Sequence, residues 1–368
     1  MDVGLTSEQL SLRDTVRDIL RAVCPPEAAR RAMTDSGTAA ERRRGLWKTV
    51  VDLGWTELAA PGSGDYGLLD LALVLEECGA AIAPIPLLSS VGLAAGALRA
   101  LHDKGLEAVL AEIAGGVVAT LAVHAPGARL PGSPMTLRRG RLCGRAVAVP
   151  NLSRAELIVT LARTDDDPGA VVAVVARCGD GVTVVPAGEP TDAAQPLADV
   201  EIDTEPSAAA PLGTGGIAAA LAAPLVAAAA DLVGVAGAAL QRSVEHAKTR
   251  HQFGAPIGAF QGVKHALADN YVAVERARSL TYAAAARVSA PNVDPADAWT
   301  AAALAKAAAG DAAAGCARTM VQVHGALGQT WEHDSHLYVR RAWQGAAMLG
   351  DSRALYHEVG RRFAGGAA

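Results

Sequence analysis

Hydrophobic positions in the first third of the chain recur with the three-to-four-residue spacing of helices. Leu10, Val16 and Ile19 fall on one stripe after Ser7, which we expect to cap the first helix. The same spacing predicts further helices over residues 46–53, 68–78, 93–101 and 106–113. Together these elements predict an N-terminal helical domain over residues 1–114.

The spacing changes to two residues near residue 115, and valine becomes frequent. Alternation of this kind, interrupted by Gly, Pro and Asp clusters, is typical of short strands. The pattern predicts strands over residues 117–123, 141–149, 157–161, 171–176 and 182–186. Because no helical stretch separates them, they predict an antiparallel β-barrel or sandwich domain over residues 115–206 rather than parallel βαβ units.

Helical spacing returns after a turn-rich link at residues 205–216. Leu232, Val235 and Leu240 form one apolar stripe, with polar residues on the opposite face. Further helices are predicted over residues 264–288, 295–323 and 352–362. The C-terminal part, residues 207–368, is therefore predicted to be a four-helix bundle, and the whole chain an α+β protein.

Composition supports a helical, closely packed protein. Hydrophobic residues make up 51% of the chain, whereas aromatic residues are 4% and charged residues 19%. Alanine is far more frequent than usual, and its small side chain lets helix backbones approach closely. Residues 217–230 carry no charge, but they include Pro224 and are too few for a membrane span, so we expect a buried helix.

The charges and cysteines limit the partners and the location. With 33 basic and 38 acidic residues the net charge is −5, which disfavours binding to nucleic acid or to an anionic membrane. The five cysteines are scattered without a Cys-x-x-Cys pair, and the first residues lack the apolar core of a signal peptide. We therefore expect a reduced, cytoplasmic protein.

Two short motifs match known binding sites but lack their context. Gly62, Gly64 and Gly67 spell the dinucleotide pattern Gly-x-Gly-x-x-Gly, yet they follow a helical block rather than a strand. We interpret them as a loop. His333 and His336 are close enough for metal ligands, but nothing else in the sequence indicates a third ligand. We interpret them as a polar loop and expect no metal.

The segment at residues 250–261 reads Arg-His-Gln-Phe-Gly-Ala-Pro-Ile-Gly-Ala-Phe-Gln and joins two long predicted helices. It contains two of the three Phe residues of the chain, Phe253 and Phe260. An Arg with Gln amides beside an aromatic ring can hold a pyrophosphate and cover an adenine. From these residues alone, however, a plain helical hairpin loop is the favoured interpretation.

This segment, followed by Val-Lys-His-Ala-Leu-Ala-Asp at residues 263–269, resembles the signature of acyl-CoA dehydrogenases. Gln-Val-His-Gly-Ala-Leu-Gly at residues 322–328, with Glu332 and Arg340 after it, is similar to the second signature of that family. Residues 47–79, which end in Glu-Glu-Cys-Gly, also resemble the family. The helical, β, helical order of the domains resembles the family as well. The likeness covers nearly the whole chain.

The resemblance implies an FAD enzyme that oxidises the Cα–Cβ bond of an acyl-CoA thioester. In the family a Glu carboxylate removes the α-proton while a hydride passes to the flavin, and hydrogen bonds stabilise the charge on the thioester oxygen. Six positions carry over by motif as cofactor-binding residues: Arg250, Gln252, Phe253, Phe260, Gln322 and Gly325. The first four would contact the ADP half of an FAD bound mainly by a neighbouring subunit, and the last two its pyrophosphate and adenosine. Such sharing implies an oligomer, usually a tetramer.

The chain departs from the family where the flavin ring is expected. Residues 124–131 read His-Ala-Pro-Gly-Ala-Arg-Leu-Pro in place of Thr-Glu-Pro-Gly-Ala-Gly-Ser-Asp, so His124 and Leu130 replace hydrogen-bonding Thr and Ser residues. Residues 144–149 read Gly-Arg-Ala-Val-Ala-Val in place of Gly-Lys-x-Trp-Ile-Thr. Val147 thus replaces the Trp that packs on the flavin, and Val149 replaces the Thr that bonds it.

The catalytic base is also missing at both positions the family uses. Leu349 occupies the Glu position of the motif near the last helix, and Pro224 occupies the alternative position on the long helix. Neither side chain can accept a proton. Asp351 lies two residues from the first position and is a weak candidate, because a shorter side chain there is expected to point elsewhere.

The retained and lost residues therefore divide by role: those that reach a neighbour's FAD are kept, and those for the chain's own flavin and base are degraded. Actinobacterial steroid side-chain acyl-CoA dehydrogenases are similar, since they are α2β2 tetramers in which one subunit type lacks the base and its own FAD pocket. We hypothesise that this chain is such a partner for a Glu-containing paralogue. The alternatives are a self-sufficient homotetrameric acyl-CoA dehydrogenase with an unusual base, and a non-enzymatic assembly subunit.

Overall fold

The computed structural model describes residues 4–25, 28–31, 38–60, 66–101, 103–165, 170–186, 188–213 and 215–365. Gly62 and Gly64 of the glycine motif lie outside these residues. The N-terminal part consists of helices α1 (Ser7–Val23), α2 (Thr38–Asp52), α3 (Leu68–Ala80), α4 (Gly96–Arg99) and α5 (Lys104–Ala114), with a short 3-10 helix (Trp55–Ala59) and a π-helical turn (Leu88–Ala95).

The first helix begins with a reciprocal cap. The Oγ1 of Thr6 accepts a hydrogen bond from the backbone N–H of Gln9, and the side chain of Gln9 accepts one from the backbone N–H of Thr6, each over 3.2 Å. Such a capping box satisfies two backbone donors at once. The prediction that Ser7 caps this helix was therefore wrong by one residue.

The central sheet has eight strands: β1 (Ala119–Ala122), β2 (Met135–Arg138), β3 (Arg141–Pro150), β4 (Leu157–Thr164), β5 (Val171–Arg177), β6 (Val182–Pro186), β7 (Leu197–Thr204) and β8 (Ala208–Pro211). They pair in the order β6-β7-β3-β2-β4-β5-β8, and β1 also pairs with β4. The five predicted strands are present. The last strand lies within the link predicted at residues 205–216, where its residues pair with β5.

The predicted α+β fold is confirmed, but the sheet is mixed rather than wholly antiparallel. β1 runs parallel to the first half of β4, with Thr120 opposite Ile158, and β2 runs parallel to its second half, with Thr136 opposite Arg163. β5 occupies the other side of β4. The parallel pairings arise from the β2–β3 hairpin, because the chain turns back once to form β3 and again to form β4. Strand β4 therefore runs in the same direction as β1 and β2.

Two cores meet at β4, because alternate residues of a strand face opposite sides of a sheet. Ile158 and Ala162 belong to a core inside the sheet, whereas Val159 and Leu161 belong to the large core shared with the helices. All four are fully buried. The β domain is thus fixed against the helical parts by one face of β4, and β1 and β5 also contribute residues to the shared core.

The C-terminal part contains α6 (Gly216–Thr249), α7 (Gln261–Val288), α8 (Pro295–His324), α9 (Ser335–Ala347) and α10 (Ser352–Gly365). The predicted long helices are present, and α9 was not predicted. By length and composition α6 could cross a membrane, but 72% of its most apolar stretch is buried inside the protein, as in the core helix of a folded domain. Pro224 lies inside this helix.

Two glycines allow α3 and α6 to touch at their backbones. A Cβ at Gly234 would lie 1.8 Å from the carbonyl oxygen of Glu76, and a Cβ at Gly79 would lie 2.0 Å from that of Asp231. Neither carbonyl can move without breaking its helix. The crossing of these helices therefore requires glycine at both positions.

Replacing Gly234 with alanine should lower the free energy of unfolding by about 3 kcal/mol, because a methyl group would be forced onto a helix backbone. Urea unfolding followed by circular dichroism measures the change. Gly360→Ala is the matched control: it lies in α10, and none of the described residues approaches its Cβ position within 4 Å. This control should gain up to about 1 kcal/mol from helix propensity. Equal effects of the two substitutions would contradict the backbone contact.

Candidate functional site

The segment after α6 forms a tight hairpin. β9 (His251–Gln252) pairs with β10 (Ala255–Pro256) in antiparallel register. Phe253 and Gly254 make the two-residue turn with φ values of +52° and +80°, as a type I′ turn requires. The N–H of Ile257 donates to the carbonyl of Arg250 over 2.8 Å and closes the base of the hairpin.

The turn holds the ring of Phe253 in solvent, with 95% of the residue exposed. Its ring meets that of Phe260 edge to face, with 6.2 Å between centroids and 89° between planes. Phe260 directly precedes α7 and is 40% exposed. Two exposed rings held by defined backbone turns are typical of a contact surface rather than of a protein interior.

The second predicted segment lies at the end of α8. Gly325 has φ +61° and ψ −136°, and its N–H caps the helix by donating to the carbonyls of Val321 and Gln322. Gln322 and Gly325 are both exposed. Among the described residues, nothing lies within 4 Å of the position that a Cβ on Gly325 would take. This helix end is open to a ligand or to a neighbouring chain.

The ends of α6 and α8 lie side by side. The rings of His246 and His324 have centroids 4.2 Å apart. The carbonyl of His246 accepts the N–H of Arg250 over 2.9 Å, and His324 directly precedes Gly325. The structure therefore brings the predicted residues of both motifs to one end of the helical bundle, and we call this surface the half-site: Arg250, Gln252, Phe253, Phe260, Gln322 and Gly325.

The two segments where a flavin ring was expected meet at the edge of the sheet. The N–H of Val147 donates to the carbonyl of His124 over 2.9 Å. The pairing of β3 and β7 is irregular between Ala146 and Val149, and Ala148 has φ +55°. Val149 is 1% exposed and packs in the core inside the sheet. Its side chain is therefore part of the protein interior.

His124 is half-buried, and one of its ring nitrogens is buried without a partner among the described residues. Its Nε2 makes no hydrogen bond with any described residue. Burial and the nearby positive charge of Lys306 lower the pKa of His124 below its ordinary value. The imidazole is therefore neutral near pH 7, and it fills a position where the family carries a small hydroxyl group.

The position expected for the base is closed. Leu349 is 2% exposed, with φ +57°. Lys306 is fully buried, and its Nζ donates to the carbonyls of Ala346 and Gly350 over 2.6 Å each. Burial lowers the pKa of Lys306 to about 7. Lys306 thus fixes the loop between α9 and α10 from both sides of Leu349.

Asp351 is occupied by two structural contacts. Its Oδ2 accepts from Arg129 over 2.6 Å, and its Oδ1 accepts the N–H of Ala354 over 2.9 Å in the first turn of α10. Burial acts to raise the pKa of Asp351, but the bonds from Arg129 and Ala354 hold it below its usual value. A carboxylate held in this way is a weak base. The structure supports a capping role for Asp351.

The segment 124–131 and the loop before α10 touch directly. Besides the Arg129–Asp351 ion pair, Leu130 approaches Gly350 so closely that a Cβ there would lie 2.8 Å from the Leu130 Cδ2. We call these four residues the clasp. It joins the two sides of the position where the chain's own flavin and base were expected.

Pro224 and the histidines His333 and His336 are the remaining residues singled out in the sequence. Pro224 is buried within α6. His333 Nδ1 bonds with the Oγ of Ser335 over 2.7 Å, whereas His336 Nε2 bonds with the carbonyl of Trp331 over 3.2 Å. In the part of the chain that the structure describes, no group of three His, Cys, Asp or Glu side chains could hold a metal ion.

Comparison with known sequences decides the family. Residues 6–119 match the profile of the acyl-CoA dehydrogenase N-terminal domain, and residues 215–363 match that of the C-terminal domain. The chain is also 31% identical to the acyl-CoA dehydrogenase FadE27 of Mycobacterium tuberculosis, over 99% of both chains. The chain belongs to the acyl-CoA dehydrogenase family. This is a family of FAD-dependent oxidoreductases.

Solved acyl-CoA dehydrogenase structures share the whole fold. The ChsE4-ChsE5 complex from Mycobacterium tuberculosis superposes with a TM-score of 0.85 at 29% identity, over 99% of both chains. The Tcur3481-Tcur3483 steroid ACAD superposes with a TM-score of 0.84 at 26% identity, over 98% of both chains. Two of the similar structures are thus described by a pair of subunit names.

The residues present fit the adenosine and phosphate end of the FAD of an acyl-CoA dehydrogenase but do not fit its flavin ring. At the half-site, Arg250 and Gln322 are exposed, and the Cβ position of Gly325 is open among the described residues. A phosphate or an adenosine can therefore approach them. At the expected ring site, the clasp and the buried Leu349 occupy the position of the missing polar groups. These residues do not fit a flavin ring beside a catalytic carboxylate.

Sequence reasoning missed Lys306 and Arg129. Lys306 is the only charged residue between Ala298 and Gly310 in an alanine-rich helix, and this isolated charge was the available signal. Arg129 replaces a glycine of the family pattern, but its partner lies more than 200 residues away. Spacing along the chain could not have paired them.

Proposed function

We propose that this chain is the base-lacking partner subunit of a cytoplasmic, heterotetrameric acyl-CoA dehydrogenase. Its half-site would complete an FAD site that a Glu-containing paralogue provides. The observation that carries the proposal is the contrast between the exposed half-site and the clasp, which closes the chain's own site around Leu349. One chain thus offers an exposed surface for a neighbour's cofactor, while a buried leucine stands at its own base position.

The side chains of the half-site suit the ADP end of FAD. The guanidinium of Arg250 can form paired hydrogen bonds with a pyrophosphate, and Gln322 can bond adenosine or phosphate oxygens. The exposed rings of Phe253 and Phe260 can cover the adenine. When bound, FAD supplies the hydride acceptor for oxidation of the acyl thioester. The base for the α-proton would come from the paralogue, because Leu349 and Pro224 cannot accept a proton.

The similar structures support a bulky substrate and unlike subunits. One is named a steroid ACAD, and both are named as pairs. By this likeness we propose a steroid side-chain acyl-CoA as the substrate class. The scarcity of aromatic residues, 4% of the chain, is compatible with a wide pocket in the assembled enzyme.

The FAD-to-chain ratio tests the proposal. We expect the chain purified alone to hold almost no FAD, and the complex with a Glu-containing paralogue to hold one FAD for each pair of unlike chains. Flavin absorbance after denaturation, divided by the chain concentration, gives this ratio. Leu349→Glu in the isolated chain is the matched control: it restores a carboxylate but leaves the clasp, and it should remain free of flavin and inactive.

Two outcomes would favour the alternatives. A yellow isolated chain with one FAD and acyl-CoA turnover would establish a self-sufficient enzyme, against which the capping role of Asp351 already argues. A complex whose flavin content does not depend on the half-site would establish an assembly subunit. The exposure of every half-site side chain argues against that second alternative, because a purely structural interface would not need Arg250 and Gln322 together.

A further inference from the structure

A separate cavity of about 610 Å³ lies at the same end of the bundle as the half-site. α1, α3 and α6 form three of its walls, and the region after α8 forms the fourth. Its volume is within the range of small-molecule sites in proteins. It adjoins the half-site, because Thr249 and His324 line it and directly precede Arg250 and Gly325, but none of the half-site or clasp residues lines it.

A column of three imidazoles forms one side of this cavity. The centroid of the His324 ring lies 4.2 Å from that of His246 and 4.4 Å from that of His333. The Nδ1 of His324 bonds with the carbonyl of Met320, and the Nδ1 of His333 bonds with the Oγ of Ser335, each over 2.7 Å. The Nε2 atoms of the three rings bond to none of the described residues. Three ring nitrogens thus remain available beside the cavity.

Charged side chains from every wall face the same space. α1 contributes Arg17 and Arg21, and α6 contributes Arg242. Their carboxylate partners are Glu77 of α3, Asp14 and Asp18 of α1 and Asp334 before α9, and Glu245 of α6 also lines the cavity. Tyr338 of α9 accepts a bond from Arg242 over 3.1 Å. Three guanidiniums face the two lining carboxylates, Glu77 and Glu245, and protonation of an imidazole adds a further positive charge to this lining.

We propose that this cavity is a binding site for a small anionic molecule that carries a phosphate or carboxylate group. The anion would be met by the Nε2 atoms of the imidazole column and by the guanidiniums of Arg21 and Arg242, while the rest of the ligand fills the apolar wall around Leu20 and Ala238. Imidazole and guanidinium groups are donors that suit such oxygens. The proposal does not depend on the proposed function.

Binding should be coupled to proton uptake from solvent. Burial and the neighbouring imidazole of His324 lower the pKa values of His246 and His333, and the charge of Arg250 lowers that of His246 further, so both rings are neutral near pH 7. An anion beside them favours the charged form and raises these pKa values. Affinity should therefore increase as the pH falls from 7.5 toward the ordinary histidine pKa of about 6.5.

Inorganic phosphate and adenosine monophosphate are the probes for a test on the full chain. Calorimetry at pH 6.5 and 7.5, in buffers of different ionisation enthalpy, measures affinity and the protons taken up. We expect saturable binding, uptake of at least a fraction of one proton, and tighter binding at pH 6.5. His333→Gln and Arg21→Gln should each weaken binding at least tenfold, and His333→Gln should reduce the proton uptake.

His357→Gln is the control, because His357 is exposed on α10, far along the chain from the cavity. It should bind both probes as the unaltered chain does. Binding that sodium chloride of equal ionic strength abolishes, or that all three variants keep unchanged, would show an adventitious ion only and overturn the proposal. Proton-linked binding that persists in His333→Gln and Arg21→Gln but not in His357→Gln would place the site elsewhere and overturn it equally.

Discussion

Replacing Arg341 with methionine should lower the free energy of unfolding by about 3–5 kcal/mol. The Arg341 side chain is 1% exposed and lies between Asp192 and Asp231, which are also buried. It bonds with Asp192 through Nε and with the Oδ1 of Asp231 through Nη1, the latter over 3.1 Å. Removing the guanidinium leaves two carboxylates in the interior without a cation, and desolvation of that charge is the main cost.

Loss of the Arg341 guanidinium should weaken the junction between the β domain and the C-terminal helical bundle. Asp192 lies between β6 and β7 of the sheet, whereas Asp231 belongs to α6 and Arg341 to α9. Gln344 strengthens the same junction, since it accepts the N–H of Asp192 over 3.2 Å and donates to the carbonyl of Gln195 over 2.6 Å. Arg341→Met should therefore loosen the β domain from the bundle as well as lower stability.

Denaturant unfolding followed by fluorescence and by circular dichroism measures both effects. The matched control is Arg361→Met, which removes a surface ion pair with Glu358 in which the arginine side chain is 66% exposed. Exposed pairs contribute at most about 1 kcal/mol. If Arg361→Met and Arg341→Met cost the same, the buried triad has no special role. Adding Asp192→Asn and Asp231→Asn to the Arg341→Met variant should recover part of the lost free energy of unfolding, since these substitutions remove the unpaired charges.

Replacing Arg250 with alanine should remove most of the FAD from a complex with the paralogue. Hydrogen bonds to charged groups contribute about 1.5–3 kcal/mol, which corresponds to at least a tenfold loss of affinity. Arg250 is exposed at the end of α6, and only its backbone makes bonds with described residues, to His246 and Ile257. Its substitution should therefore leave the fold of the isolated chain unchanged.

The measurement is the flavin content of the purified complex, together with its size by light scattering. Arg276→Ala is the control, because it removes an exposed arginine from α7 at a distance along the helix from Phe260. It should leave the flavin content unchanged. An intact complex that keeps its full FAD after Arg250→Ala would show that the half-site is not used, and would leave assembly as the role of this chain.

Local patterns predicted the three-part order of the fold well, because helix and strand spacing depend on near neighbours. They failed where the partner is distant. The parallel pairing of β1 and β2 with β4 depends on the path of the whole sheet. β7 was missed because Asp199, Glu201 and Asp203 alternate with its apolar residues. These acidic residues resemble a turn cluster in the sequence, whereas in the structure they form the more exposed face of a strand.

The candidate site was predicted in the same uneven way. The sequence could single out the half-site residues because they lie in two continuous motifs. The structure brings these motifs to one end of the bundle, and their binding of FAD stays a prediction. The clasp could not be found, since Arg129 and Asp351 are 222 positions apart. In the sequence, Leu130 indicated only that a hydrogen-bonding side chain of the family is missing. The structure adds that the Leu130 side chain packs closely against Gly350.

Exposed apolar side chains in and next to the half-site have a consequence for synthesis of the chain in a cell. Phe253, Leu327 and Trp331 are 95%, 49% and 47% exposed near one end of the bundle. Burying a single phenylalanine is worth about 1.5–3 kcal/mol. If the proposed function is correct, copies produced in excess of the paralogue would tend to aggregate through this end.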